Sequence, residues 1–125
     1  MPGSPHVLEE RPEAYDAWLQ SLQQDIYSAE QHLEPMTTFL SAAGNATRLR
    51  MLYALSHTSE LCVGDLAKLF QITPPAVSNH LKKLRQASLV ASRREAQRIY
   101  YSISENNRFV RVLLHLFEEP HDQRQ

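Results

Sequence analysis

The chain has 125 residues, 42% hydrophobic and 22% charged, with a formal net charge of -1. That suits one domain with a modest core and excludes a fibrous or wholly disordered protein. No apolar run approaches the length needed to cross a bilayer, and the opening "MPGSPHVLEERPEA" lacks the basic patch and apolar core of a secretion signal; a cytoplasmic protein with no membrane partner is expected.

Cys62 is the single cysteine, so no intramolecular disulfide can form, and a Cys-only metal cage would need a second chain. The charge is unevenly placed. Between Met36 and Ser104 nine Lys and Arg face only Glu60, Asp65 and Glu95, a local charge of +6, while the two ends carry -7. A basic middle between acidic ends points to a polyanion that the middle touches and the ends avoid. An ordinary solvated surface is the alternative that charge alone leaves open.

From Glu13 to Leu33, Tyr15, Trp18, Leu19, Leu22, Ile26, Ala29 and Leu33 recur at steps of three and four, which predicts one stripe of a helix that Pro35 ends. "MTTFLSAAGNATRLRMLYALSH" reads as two helical stretches. Gly44 lets the chain turn, Asn45 caps the second stretch, and its stripe is Leu49, Leu52, Tyr53 and Leu55. "VGDLAKLF" is a short helix and "QIT" a turn.

Thr73 followed by Pro74 and Pro75 is a helix start, because proline lacks an amide hydrogen that the first turn leaves unpaired anyway. The helix from Pro74 to about Ala87 turns Val77, Leu81 and Leu84 inward and Asn79, Lys82, Lys83 and Gln86 elsewhere. "LVASRREAQRIYYSIS" changes period to two strands around an exposed basic hairpin. "NNRFVRVLLHLFEE" returns to a helix, with apolar residues on more than one face. Such an excess on a small chain predicts burial against a second copy.

Helix, short helix, tight turn, helix and basic hairpin is the order of a winged helix-turn-helix, mainly α with a small β-hairpin wing. Residues 1–35 are then an N-terminal tail and dimerisation helix, 36–105 the DNA-binding domain, and 106–125 a C-terminal dimerisation helix and tail. Thr73, Pro75, Ser78, Asn79 and His80 occupy the early turns of the recognition helix, where short side chains touch base edges in the major groove. Lys82, Lys83, Arg93, Arg94 and Arg98 are placed to neutralise phosphates. A winged helix that docks a partner protein is the reading from another class. No enzyme is expected, because Ser78 and His80, near neighbours on one helix with no third group or oxyanion site apparent, do not constitute a nucleophile with its base.

"AGNATRLRMLYAL", "ELCVGDLAKLF", "AVSNHLKKLRQASLV" and "QRIYYSIS" resemble, in order and spacing, the motifs of the ArsR/SmtB family of bacterial winged-helix repressors, over about Met36 to Glu119. The resemblance implies a homodimer on a dyad-symmetric double-stranded DNA operator, released by an effector. This chain has "EAQ" where the family carries a wing-tip glycine, which predicts a longer or looser hairpin. Gly64 stands where similar thiol-based metal sensors have a second cysteine, so Cys62 is expected as a buried small apolar residue, with an oxidation-sensing role needing a partner thiol.

Two metal-ligand positions near the start of the family's last helix and two near its end fall on Glu105, Asn107, Glu118 and His121. By this resemblance Glu105, Glu118 and His121 are the candidate ligands for Zn, Ni or Co as effector. Asn107 departs from the pattern as a weak neutral donor. Pro120 precedes His121, and His115 is one turn from Glu118. A non-metal effector, or none, is the alternative.

Overall fold

The computed structural model describes residues 10–118, in two compact units, Met1–Pro35 and Met36–Gln125. Helix α1 runs Pro12–Ala43. In the first unit its start is closed by the Tyr15 amide donating to the Arg11 carbonyl at 3.0 Å, and the Tyr15 and Trp18 rings lie 6.1 Å apart. Leu22, Ile26 and Leu33 of the expected stripe are exposed in the single chain.

Pro35 does not end this helix. A proline removes one amide donor and crowds the carbonyl one turn back, at a cost of about 3 kcal/mol. The turns that follow carry Ala42 and Ala43, buried, and Phe39, packed against the core, and their burial draws the chain back into helix. The first of the two stretches expected after Met36 is therefore the end of α1.

Gly44 breaks the helix by close approach rather than by a left-handed backbone. Its amide donates to Leu40 O at 2.8 Å, and a Cβ at this position would sit 2.6 Å from that same oxygen. Asn45 then caps α2 (Ala46–Ser56): its Oδ1 accepts from the Arg48 amide at 3.0 Å. The buried stripe of α2 is Met51, Leu52 and Leu55. Leu49 and Tyr53, expected on it, are exposed.

A strand that periodicity cannot reveal comes next. β1 is two residues, Leu61–Cys62, paired antiparallel with Tyr101 and Tyr100 of β3. α3 (Val63–Phe70) follows directly, and the Cys62 amide donates to Asp65 Oδ2 at 3.0 Å. That bond, ahead of every other influence, holds the Asp65 carboxyl below its ordinary range. α4 spans Pro74–Gln86. Its end is sealed by Leu89 N donating to Leu84 O at 2.9 Å, with Ser88 left-handed at φ 62.

β2 (Val90–Glu95) and β3 (Arg98–Ile103) form the hairpin, in the sheet order β1-β3-β2. α5 (Arg108–Phe117) closes the described chain. Met51, Leu52, Leu66, Val77, Leu81, Leu84, Leu89 and Val110 are completely buried in one core to which α2, α3, α4 and α5 all contribute. Each such side chain contributes about 1.5–3 kcal/mol on burial. This core fixes the angle at which α4 and the hairpin leave the surface.

Candidate nucleic-acid interface

The turn between α3 and α4 is made by Gln71, left-handed at φ 55 and ψ 46, with Ile72 N donating to Ala67 O at 3.2 Å. Thr73 Oγ1 accepts from the Ala76 amide at 3.3 Å, and Pro74 and Pro75 fill the first helical positions. A helix rotates 100° per residue, so residues opposite Val77, Leu81 and Leu84 form the outer face. Those residues are Pro75, Asn79, Lys82, Lys83 and Gln86, all exposed.

Ser78, Asn79 and His80, adjacent in sequence, go to three different places. Asn79 is on the outer face. Ser78 is exposed on the flank toward the hairpin and lines a groove of about 400 Å³ with Leu81, Lys82, Arg85, Gln86 and Tyr101. His80 is half-buried on the opposite flank, its Nδ1 3.4 Å from Nη1 of Arg48 on α2. Burial, then Arg48 and then Lys83 push the His80 pKa below its ordinary 6.5.

The hairpin turn is tight, contrary to the longer or looser turn expected. Glu95 pairs with Arg98, leaving only Ala96 and Gln97 between the strands, and Ala96 takes the left-handed backbone, φ 57, that a glycine would adopt more easily. Its three arginines, Arg93, Arg94 and Arg98, are all exposed. Arg93 is engaged by its own chain. Its Nε donates to both Glu60 oxygens, at 2.8 and 3.1 Å, its Nη2 pairs with Glu60 and its Nη1 with Glu95 Oε1 at 2.6 Å. The guanidinium also lies 4.9 Å from the Tyr100 ring centre. The Arg93 hydrogen bonds are the largest influence lowering the Glu60 pKa, and Glu60 in turn raises that of Arg93.

The sequence reading missed Arg48, Arg85, Tyr101 and Glu60. Arg48 and Arg85 were visible only as two of the nine basic residues of the middle. Nothing local to "SELC" marks Glu60 as a partner for a residue 33 positions away.

The family model described as "Bacterial regulatory protein, arsR family" matches residues 45–92, from the cap of α2 into β2. A transcriptional repressor SmtB homolog from Synechocystis sp. is 33% identical over 118 residues, covering 94% of this chain and 84% of that protein. The crystal structure of NolR from Sinorhizobium fredii is similar at 39% identity and a TM-score of 0.64, over 74% of this chain and 89% of NolR. A homodimeric winged helix-turn-helix DNA-binding domain from Mycobacterium bovis, solved in solution, is similar at 25% identity and a TM-score of 0.63, over 78% of this chain and 93% of that one.

The chain belongs to the ArsR family. It is a winged helix-turn-helix DNA-binding transcriptional regulator and not an enzyme.

In this ArsR-family chain the positions carried over as metal ligands are differently engaged. Asn107 caps α5: its Oδ1 accepts from the Phe109 and Val110 amides at 2.8 and 3.2 Å, and its Nδ2 donates to Ser88 O at 3.0 Å. Both ends of the amide are thus bound to backbone. Glu105 is exposed between β3 and α5, and Glu118 is exposed at the α5 C-cap. His121 lies outside the described residues. Among the described residues no three His, Cys, Asp or Glu side chains converge on a point that could hold a metal ion. Cys62 is buried, with Gly64 beside it.

Proposed function

We propose that this regulator is a homodimeric repressor that lays the outer face of α4 in the major groove of a dyad-symmetric operator and is released by a non-metal effector, or acts without one. The observation that carries the reading is the outer face itself: Pro75, Asn79, Lys82, Lys83 and Gln86, exposed together opposite Val77, Leu81 and Leu84. An amide at its centre suits a base edge, and flanking cations suit phosphates. Thr73 at the helix start, Ser78 in the groove toward Tyr101, and Arg94 and Arg98 on the wing extend the cationic and hydroxyl surface beside it.

The second copy is supported by α5, where Val112 and Leu116 are 58% and 56% exposed, and by the homodimeric state of the Mycobacterium bovis domain. Side chains of that size left in water on one face favour a partner surface. The non-metal reading is supported by Asn107, whose oxygen is committed to two backbone amides.

The test is a fluorescent duplex from the protein's own promoter region, titrated with the full chain at several salt concentrations, with and without zinc, nickel, cobalt and cadmium. The reading expects tight binding that weakens steeply with salt, because phosphate contacts release counterions, and no response to metal in slight excess over dimer. Binding without salt dependence would point to protein docking instead. Metal-driven release would restore Glu105, Glu118 and His121 as candidate ligands.

A further inference from the structure

Arg48 makes three contacts with two other elements. Its Nε donates to Ala42 O at 2.6 Å and its Nη2 to Ser41 O at 3.4 Å, both carbonyls in the last turn of α1 that have no intrahelical partner. Its Nη1 lies 3.4 Å from Nδ1 of His80, on the flank of the recognition helix. One side chain on α2 therefore joins the end of α1 to α4.

A guanidinium has five N–H donors and no acceptor. The ring nitrogen that faces it must therefore carry a lone pair, and the proton of a neutral imidazole must be on Nε2. An imidazolium would place a proton on Nδ1 against Arg48, with Lys83 of α4 adding a second positive charge. The group that faces the ring is thus a guanidinium from α2, and the charge of Lys83, three residues further along the same helix, adds to the opposition to protonation.

We infer that Arg48 is a positioning residue for DNA reading, which fixes the His80 ring as the Nε2–H tautomer and so ties the recognition helix to the end of α1. The inference rests on the DNA-binding reading. It gives His80 a different part from the base contact expected of it in the sequence: its flank position serves the orientation of α4, and Asn79 is left to face the groove. A shift in the last turn of α1 reaches α4 through one planar, three-way anchor.

The experiment has a spectroscopic arm and a binding arm, both on the full chain. Long-range 1H–15N correlation spectra at neutral pH are expected to show His80 with a bare Nδ1 and a protonated Nε2. In Arg48→Lys, which keeps the charge but loses the planar fork, the two tautomers should mix. Binding to a dyad-symmetric duplex selected from a random pool by the wild-type chain should fall about tenfold, the scale of one lost charge-assisted hydrogen bond. Binding to unrelated duplex should change by less than about twofold.

His80→Leu should match that loss, and the double variant should be no worse than either single one, since each breaks the same link between the end of α1 and α4. His80→Asn, whose amide oxygen can take the place of Nδ1, should recover most of the affinity. A His80 ring protonated on Nδ1, or losses that add in the double variant, would overturn the inference while leaving DNA binding intact. A wild-type chain that binds no duplex would overturn the DNA-binding reading and this role with it. Should Arg48→Lys fail to fold, the wild-type spectrum and the His80→Leu and His80→Asn pair still decide.

Discussion

The carboxylate of Glu60, just before β1, holds the guanidinium of Arg93 on β2 through both of its oxygens, and Arg93 in turn lies over Tyr100 of β3. Three segments of the wing meet on one side chain. An arginine committed in this way adds less to phosphate binding than its charge suggests, and it contributes instead to the placement of the hairpin.

The three wing arginines should therefore separate in a salt titration. Arg94→Ala and Arg98→Ala are each expected to reduce the slope of log affinity against log salt by about 1, the signature of a lost phosphate contact. Arg93→Ala should change the slope by much less. Glu60→Gln should raise affinity for all duplexes alike by freeing Arg93. Equal slopes for all three alanine variants would show that Arg93 leaves Glu60 to reach DNA.

Asn79 sits at the centre of the outer face of α4. Asn79→Ala is expected to weaken operator binding by about 1–3 kcal/mol and to relax preference at one base pair per half-site, with thermal stability unchanged. Lys82→Ala should instead weaken all duplexes similarly. A selection experiment with the Asn79→Ala protein that returns the wild-type operator would remove Asn79 from the reading set.

Much of this arrangement was legible in the sequence, and the failures have physical causes. Thr73-Pro74-Pro75 announced α4 because capping chemistry is local, and Val77, Leu81 and Leu84 announced its buried face because helical periodicity is local too. Pro35 misled because the penalty of a proline is local but its compensation, the burial of Ala42 and Ala43, comes two turns later. The two residues of β1 carry no period at all. The division of Ser78, Asn79 and His80 among three surroundings depends on Arg48 and Tyr101, which tertiary packing alone brings to α4.

Asn107, at a position that the resemblance pointed to for a metal ligand, is a structural residue. Losing its cap to the Phe109 and Val110 amides should cost about 0.5–2 kcal/mol in Asn107→Ala, read as a lower urea midpoint at fixed protein concentration. Operator affinity of the folded fraction should stay near wild type. Cys62→Ser should alter neither the response to added metals nor the operator affinity. A zinc response that disappears in Asn107→Ala would place this amide among the ligands, where it was not expected.

His80 should make stability pH-dependent in a defined direction. Its folded pKa lies below 6.5, first through burial, then through Arg48 and Lys83. The unfolded chain therefore takes up this proton first as pH falls. The contribution to stability is complete above 6.5, declines as pH drops from there toward the folded pKa, and is level below it. His80→Asn should flatten that part of the urea-midpoint profile. A profile unchanged by the substitution would mean that His80 titrates alike in both states.

The apolar surface of α5 gives the last expectation. Val112 and Leu116 lie one helical turn apart and more than half exposed, while Val110 and Leu113 on the other side are buried in the core of their own chain. Val112→Glu and Leu116→Glu should therefore leave the fold of the single chain in place and destroy its self-association, because a carboxylate buried without a partner opposes pairing far more than it opposes folding at an exposed site. Sedimentation at micromolar concentration is expected to give a dimer for the wild type and a monomer for the double variant. Operator binding should fall steeply in the monomer, since one recognition helix then reads one half-site, whereas two joined copies reach grooves about 34 Å apart. A wild-type monomer, or a double variant that remains dimeric, would show that α5 is not the surface that joins the two copies.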